Sequence, residues 1–405
     1  MKKVKINHII YLIIIVLIAN SCIEPFDIKT TTTTTFESAL VIEATITDEF
    51  KYQEINLSKT FQLEDNGPLA ESGANVKIVD DGQNTYDFRE ISPGKYVSYS
   101  EFKALPNKNY QLQIITSDGK YYSTTPTPLT NSTQIDNIYA SKEIDDLGFE
   151  KISILVDSFD PTGNSKYYRY EYEETYKIIA PKWSAYDLVV TSNVPPFSIE
   201  KVFKTREERV CYKTEYSNSI IQNETIGFSE DRVFRFPVRV LLKDNAIISH
   251  RYSILVKQYV QSLDAFTFYK TLNKLSGSES LFSQNQPGFF NGNVFSVNDP
   301  NEKVIGFFEV SSVSSKRMFF NFLDLFPGEP LPPYFTECEP FAPSNTFYAN
   351  DPSDLFNLIN SGSVKYYGEN DKVDFTNPGP FLVVSPECGD CTKLGTNIKP
   401  DFWVE

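Results

Sequence analysis

Histidine is scarce in this sequence, and its scarcity argues against the commonest catalytic metal sites. The 405 residues include two histidines, two methionines and two tryptophans. His8 lies in an N-terminal segment that we predict to be removed, so the mature chain keeps only His250. Catalytic zinc sites usually take two or three histidine ligands, which one residue cannot supply. We therefore predict that His250 is a structural residue in a β-strand.

The short motifs by which many enzymes are identified are missing as well. The sequence has no P-loop, no glycine-rich dinucleotide motif, no nucleophile elbow and no His-Glu-x-x-His zinc motif. Acidic pairs occur at Asp80-Asp81, Asp145-Asp146 and Glu207-Glu208, without the spacing of a calcium loop. We interpret these pairs as solvated surface carboxylates. We expect no enzymatic activity, no cofactor and no metal.

Basic residues are outnumbered by acidic ones. The chain has 38 lysines and arginines against 53 aspartates and glutamates, a formal net charge of -15. The mature chain is more acidic still, because the segment to be removed contains three lysines and no acidic residue. This charge disfavours nucleic acid as a partner, since phosphates bind to basic surfaces.

Long apolar runs are also missing, with one exception near the N-terminus. Three lysines precede the apolar run Ile9–Ala19, and small residues ending at Cys22 follow it. A membrane span needs about 20 apolar residues, and this run has roughly half that length. Basic, apolar and small residues in this order are typical of a secretory signal peptide, which we assign to residues 1–21.

Cys22 follows the small residues directly, as the acylated cysteine does in the lipobox of bacterial lipoproteins. Leucine is usual three residues before that cysteine, and this chain has Ala19 there. The next cysteine along the chain is Cys211, so Cys22 has no local disulfide partner. We predict that Cys22 is the site of lipid attachment. Two or more acyl chains would hold the mature protein stably on a membrane.

The mature chain begins with a tether and a small β domain. Residues 22–37 include six consecutive threonines and no apolar face, which predicts an extended tether. Residues 38–128 have the short strands and frequent turns of a β-sandwich. The segment ending at Tyr110 resembles the tyrosine corner of fibronectin-type domains, whereas Gly94-Lys95-Tyr96 is similar to prealbumin-like sandwiches, and both alternatives stay open. The predicted strands are Leu40–Ile46, Glu54–Lys59, Ala74–Val79, Thr85–Arg89, Lys95–Ser100, Tyr110–Thr116 and Tyr121–Thr124.

The prolines of Thr124–Pro128 indicate a domain boundary, because proline interrupts central strands. Residues 129–405 are predicted to form a larger β-rich domain with one or two short helices. Apolar residues at helical spacing, with Ser262 as N-cap, predict a helix over Leu263–Leu275. A second short helix is predicted after Asp351 as N-cap. The predicted strands are Lys151–Phe159, Lys166–Ile179, Arg209–Glu215, Val233–Leu242, Ile247–Gln261, Val294–Val297, Val304–Val313 and Arg317–Leu323.

Four cysteines remain in the body of the chain, and an even number in an exported protein indicates disulfides. A disulfide that closes a long loop restrains the unfolded chain more than one that closes a short loop. We therefore expect Cys388 and Cys391 to pair with Cys211 and Cys338, in an order that stays open. The pairs would fasten the C-terminal tail.

A run of alternating tyrosines is the strongest candidate for a binding surface. In a strand, Tyr168, Tyr170, Tyr172 and Tyr176 share one face, while Arg169, Glu171 and Glu173 share the other. The tyrosines would form either a platform for sugars or a protein partner, or the core face of a sandwich. In the second case we expect the charged face to be solvated.

The sequence resembles the DUF4249 family, a domain of unknown function found in outer-membrane lipoproteins of Bacteroidota. Tyr212 is a departure, because many members have tryptophan there. The motifs that carry the resemblance, in chain order, are Cys22-Ile23-Glu24-Pro25-Phe26, Arg209-Val210-Cys211-Tyr212, Tyr252–Tyr259, Gly292-Asn293-Val294, Val304–Phe308, Cys388-Gly389-Asp390-Cys391 and Pro400-Asp401-Phe402-Trp403.

This resemblance implies a location and a class of partner. Members have no established catalytic residues, and they are similar to accessory lipoproteins encoded beside TonB-dependent receptors. We therefore expect a non-enzymatic binding subunit, anchored in the outer membrane and associated with a TonB-dependent barrel. It is expected to face the cell exterior, with the periplasmic face as the alternative. The alternative function is a structural or adhesive surface lipoprotein with an extracellular partner.

Overall fold

The computed structural model describes residues 38–61, 67–276, 292–347 and 351–405. The predicted signal peptide (1–21), Cys22 and the tether (22–37) lie outside the described residues. None of the described helices combines the length and the apolar character that crossing a membrane requires. The fold is mainly β, as predicted.

An N-terminal sheet of eleven strands contains the predicted sandwich. In chain order its strands are β1 (Leu40–Thr47), β2 (Glu54–Lys59), β3 (Leu69–Ala70), β4 (Asn75–Asp80), β5 (Thr85–Ser92), β6 (Lys95–Ser98), β7 (Asn109–Ile115), β8 (Tyr121–Thr124) and β9 (Thr127–Pro128), with β19 (Val294–Ser296) and β20 (Val304–Ser311). Strand β5 makes the corner, because it pairs first with β4 and then with β6. Alternate side chains on both halves point inward and share one core, which includes Ile42, Leu57, Ile78 and Leu112.

Two strands from the later half of the chain complete this sheet. β20 pairs in parallel with β1, and β19 pairs with β8. The side chain of Asn293 links these two ends of the sheet: its Oδ1 accepts from Phe308 N at 2.7 Å, and its Nδ2 donates to Phe308 O at 2.8 Å. The prediction that residues 38–128 form the sandwich by themselves is therefore wrong. Its strands are correctly located, but the sheet also needs 294–311.

A second sandwich packs a three-stranded sheet against a five-stranded sheet. The three-stranded sheet has the order β10-β11-β17, and the five-stranded sheet has the order β15-β12-β18-β21 with β16 paired to β12. A common core lies between them and includes Ile154, Tyr170 and Ile254. The strands are β10 (Ile135–Ile144), β11 (Glu150–Phe159), β12 (Tyr167–Ile179), β15 (Val210–Tyr216), β16 (Ile221–Glu224), β17 (Arg232–Leu242), β18 (Arg251–Gln261) and β21 (Val313–Asn321).

The longest described helix, α1 (Leu263–Ser276), follows β18 as predicted. Ser262 caps it, because its Oγ accepts from Ala265 N at 3.1 Å. A single turn, α2 (Phe322–Leu325), follows β21. The predicted second helix is α3 (Asp354–Asn360), and its cap is Ser353 rather than Asp351. His250 lies in a bend just before β18 instead of inside the strand.

A third, smaller apolar cluster holds the C-terminal region. It includes Leu188, Leu355, Tyr366 and Val383. The elements around it are the hairpin β13 (Tyr186–Ser192) and β14 (Ser198–Phe203), the hairpin β22 (Lys365–Glu369) and β23 (Phe381–Val384), α3, and the short helix α4 (Pro386–Gly389). Neither hairpin was predicted.

The four cysteines form the expected long-range pairs. Cys211 on β15 bonds to Cys391, and Cys338 bonds to Cys388, each with Cα atoms 5.6 Å apart. The sequence separations are 180 and 50 residues. The preference for long loops over a local Cys388–Cys391 bond is confirmed, and the structure supplies the order. The tail is thus fastened both to β15 and to the segment that contains Cys338.

Candidate functional site

The tyrosine face of β12 is buried in the core of the second sandwich. Tyr168, Tyr170 and Tyr176 are at most 1% exposed, and Tyr172 is 8% exposed. The rings pack among the apolar side chains of the three-stranded sheet. These tyrosines cannot form a binding platform, so that hypothesis is wrong and the core interpretation is confirmed.

The opposite face of β12 is covered at Arg169, contrary to the expectation that it is solvated, whereas the Glu171 side chain is 45% exposed. Arg169 is only 7% exposed, because the outer side of the N-terminal sheet lies over it. Its guanidinium Nη2 lies 3.2 Å from Glu309 Oε2 on β20, and it also pairs with Glu171 on its own strand. A charged seam therefore joins the two sandwiches, with Arg169 at its centre.

Aromatic rings and neutral polar groups complete the surroundings of this buried charge. The guanidinium carbon lies 4.3 Å from the ring centre of Tyr259 and 5.1 Å from that of Tyr269. Glu309 Oε1 accepts from Gln261 Nε2 at 3.0 Å and from Ser311 Oγ at 2.8 Å. Buried carboxylates need such partners, because an unpaired charge in the interior is costly.

These contacts fix the charge states of the seam. Burial disfavours the cation, yet the carboxylates of Glu309 and Glu171 outweigh it and raise the pKa of Arg169 above its ordinary value. Burial acts to raise the pKa of Glu171, but Arg169 lowers it overall. Burial and the charge of Glu309 raise the pKa of Tyr269 to about 12. At neutral pH, Arg169 is a cation beside the ionised Glu171 and neutral phenols.

A pocket of about 410 Å³ opens beside Arg169, where the strand next to β12 is interrupted. β15 pairs with the end of β12 and β16 with its start. Between them, residues 217–220 leave the sheet, held by Ser217 N donating to Tyr172 O at 2.9 Å and by Tyr172 N donating to Ser217 Oγ at 3.1 Å. This loop forms one wall, β12 and β18 form the floor, and Glu43 on β1 belongs to the opposite wall. We call this space the seam pocket.

Several polar groups of the seam pocket lack strong partners. Lys257 is half-buried on β18 and forms no ion pair with any residue that the structure describes. It lies opposite Glu171 in the strand pair, and its charge contributes to the lowered pKa of Glu171. Arg169 Nε is buried and has no hydrogen-bond partner within the described ranges. Glu43 is exposed and accepts one weak hydrogen bond, from Asn56 Nδ2 at 3.5 Å. A donor, Lys257, and an acceptor, Glu43, therefore face the space from different sandwiches.

The prediction that the acidic pairs are solvated surface carboxylates is wrong for two of their residues. Asp80 and Glu208 are only 3% and 2% exposed, so their interpretation as solvated carboxylates is wrong. Asp80 pairs with Lys108, and Glu208 binds Lys204 at 3.0 Å. In the part of the chain that the structure describes, no group of three or more potential ligand residues could hold a metal ion.

Sequence reasoning missed the residues that make the seam. Glu309 is the signal that could have found it, because it is a single carboxylate inside the apolar run Val304–Val310. A buried carboxylate requires a cation, and Arg169 is the one that lies within reach. Lys257 and Glu43 carry no comparable signal, since isolated charges on a strand usually face solvent.

Comparison with known proteins gives one family. The model of the family described as a domain of unknown function, DUF4249, matches residues 23–317. The matched range covers the whole N-terminal sheet and nearly all of the second sandwich, including every residue of the seam pocket. No curated protein matches the chain.

Proposed function

The chain belongs to the DUF4249 family, and we propose that it is an exported outer-membrane lipoprotein that binds a small ligand as a non-enzymatic accessory subunit of a TonB-dependent transporter. The membrane part of the proposal is supported by the signal-like segment 1–21 and by Cys22 after it. Its outward orientation is part of the same proposal, with the periplasmic face as the alternative.

The observation that carries the ligand-binding part is the seam pocket. Ligand sites in proteins are concave, contain a few convergent polar groups and often lie between domains. The seam pocket has about 410 Å³, lies between two sandwiches and is lined by Lys257 and Glu43, which form no ion pair with each other. Its residues include no nucleophile–base pair, so binding is the chemistry that they support.

An exposed apolar groove supports the association with a protein partner. Phe149, Leu242 and Leu331 line one groove at the end of the three-stranded sheet, and they are 59%, 51% and 45% exposed. Leu147, in the adjoining turn between β10 and β11, is 82% exposed. Apolar residues grouped in this way often mark protein interfaces. We propose that this groove, which we call the apolar groove, contacts the transporter.

The alternative of a structural or adhesive surface lipoprotein uses the same anchor and the same groove. An adhesive protein needs a contact surface, but it has no need of an internal charged pocket. The seam pocket therefore favours the transporter subunit over the adhesin.

Replacing Cys22 by serine tests the anchor. We expect Cys22→Ser to abolish incorporation of labelled palmitate and to remove the protein from the outer-membrane fraction, because serine has no thiol to accept the lipid. Labelling in growing cells followed by membrane fractionation measures both. Ser21→Ala is the matched control and should be labelled like the natural chain. Undiminished labelling of Cys22→Ser would show that the lipid is attached elsewhere.

A further inference from the structure

We infer that the seam pocket takes a small dipolar ligand with one carboxylate and one ammonium group, as in a free amino acid or a short peptide. This inference rests on the proposed function, because it names the ligand class of the same pocket. It depends on which charges face the pocket, which of them are already paired, and which sandwich supplies each.

The floor of the pocket supplies a donor for a carboxylate. Lys257 and Arg169 lie on neighbouring strands, β18 and β12, and both belong to the outer face of the five-stranded sheet. Glu171 and Glu173, on the same face, are already engaged: Glu171 by Arg169, and Glu173 by Arg317 Nη2 at 2.6 Å. The Lys257 ammonium is left as an unused donor, since it forms no ion pair with a described residue. A ligand carboxylate would supply the acceptor that it lacks.

The opposite wall supplies an acceptor for a cation. Glu43 belongs to β1 of the N-terminal sheet and lies two residues from Thr45, which is paired with Glu309 across the strands. Glu43 forms no ion pair with a described residue, and its one hydrogen bond, from Asn56, is long. Lys257 and Glu43 thus carry opposite charges on different sandwiches, line the same pocket and form no ion pair with each other.

The arrangement disfavours ligands with a single charge. A lone anion would meet Lys257 but also the free carboxylate of Glu43, in a protein whose overall charge is already negative. A lone cation would meet Glu43 but also Lys257 and the Arg169 guanidinium. A neutral ligand would leave both sets of charges partly desolvated without compensation. A dipolar ligand satisfies both walls at once, and the exposed ring of Tyr216 at the pocket can cover its apolar part.

Titration calorimetry on the mature protein tests this inference with ligands of graded length. Alanine, Ala-Ala and Ala-Ala-Ala carry both charges at increasing separation, and at least one of them is expected to bind. Acetylating the amino group or amidating the carboxyl group of that ligand should each weaken binding about tenfold or more, because each removes one charged hydrogen bond.

Matched variants assign each charge to its wall. Lys257→Gln is expected to weaken binding of the free peptide about tenfold and to leave binding of the amidated peptide unchanged. Glu43→Gln should likewise weaken binding of the free peptide, but it should leave binding of the acetylated peptide unchanged. Lys77→Gln is the control, since Lys77 is also half-buried on a strand and lies outside the pocket. Unchanged thermal unfolding confirms that the variants fold.

The outcomes separate this inference from the proposed function. The blocked peptides or neutral sugars could bind as tightly as the free peptide, with an affinity that Lys257→Gln does not change. That result would overturn the inference of a dipolar ligand but keep a ligand-binding pocket. Absence of binding by the peptides, their blocked forms and neutral sugars would overturn both. If Lys257→Gln weakens binding of the free peptide and Glu43→Gln does not, the inference of a dipolar ligand is also overturned, because Glu43 would then not bind the ligand.

Discussion

Replacing Arg169 by methionine is expected to destabilise the mature protein by about 3–5 kcal/mol. Methionine keeps most of the side-chain volume but removes the cation, so Glu309 remains as a buried carboxylate without its partner, and the half-exposed Glu171 also loses its ion pair. Breaking one side of a buried ion pair costs this much because the other charge stays desolvated. Urea-induced unfolding, followed by aromatic fluorescence, measures the loss.

Two further variants show whether the unpaired charge is the cause. Adding Glu309→Gln to Arg169→Met should recover part of the loss, since the amide is neutral and can still accept from Gln261 and Ser311. Arg89→Met is the surface control: Arg89 is exposed and should cost no more than about 0.5 kcal/mol. A loss below about 1 kcal/mol for Arg169→Met would mean that the seam is hydrated and that Arg169 does not join the two sandwiches.

Removing the Cys211–Cys391 disulfide is the second change with a large expected effect. The double variant Cys211→Ser and Cys391→Ser is expected to lower stability by about 3–5 kcal/mol, because the bond closes a loop of 180 residues in the unfolded chain. The tail should also become sensitive to protease, since Trp403, packed against Tyr212 next to Cys211, loses the covalent link beside it. Unfolding curves and limited proteolysis under non-reducing conditions measure both effects.

The second disulfide provides the comparison. Removing Cys338 and Cys388 together opens a loop of 50 residues and should cost less, by roughly 1 kcal/mol, if chain entropy dominates. Equal stability of the natural protein and the Cys211–Cys391 variant would show that the ion pairs around Lys365, Glu208 and Asp390 hold the tail without the bond.

Local patterns were enough to predict most strands of the first sheet. β1, β2 and β7 largely alternate inward apolar and outward polar residues between clear turns, so their positions follow from the sequence alone. Tyr110 also fulfils its predicted corner role, because its hydroxyl accepts from Leu105 N at 2.8 Å. Loop length predicted that Cys388 and Cys391 pair with Cys211 and Cys338 rather than with each other, but it did not predict the order.

The errors arise where distant segments meet. Alternation in β12 shows that Tyr170 and Arg169 lie on opposite faces, but it cannot show that both faces are covered. The cover over Arg169 comes from β20, which is about 140 residues away along the chain and pairs with β1. The hairpin of β13 and β14 was not predicted. Pro195 and Pro196 are typical of irregular structure, but here they lie in the turn that connects the two strands. The seam pocket depends on these distant contacts, so the sequence could not predict it.

Copurification from outer membranes tests the central proposal most directly. The full chain, tagged after Glu405 and isolated from detergent-solubilised outer membranes, is expected to bring a TonB-dependent barrel with it in near-equal amount by mass spectrometry. Replacing Phe149 in the apolar groove and Leu147 in the adjoining turn by aspartate should reduce the amount of barrel recovered, while the fold and the membrane location stay unchanged. Recovery of the protein without a barrel, under conditions that keep other outer-membrane complexes intact, would contradict the proposed function.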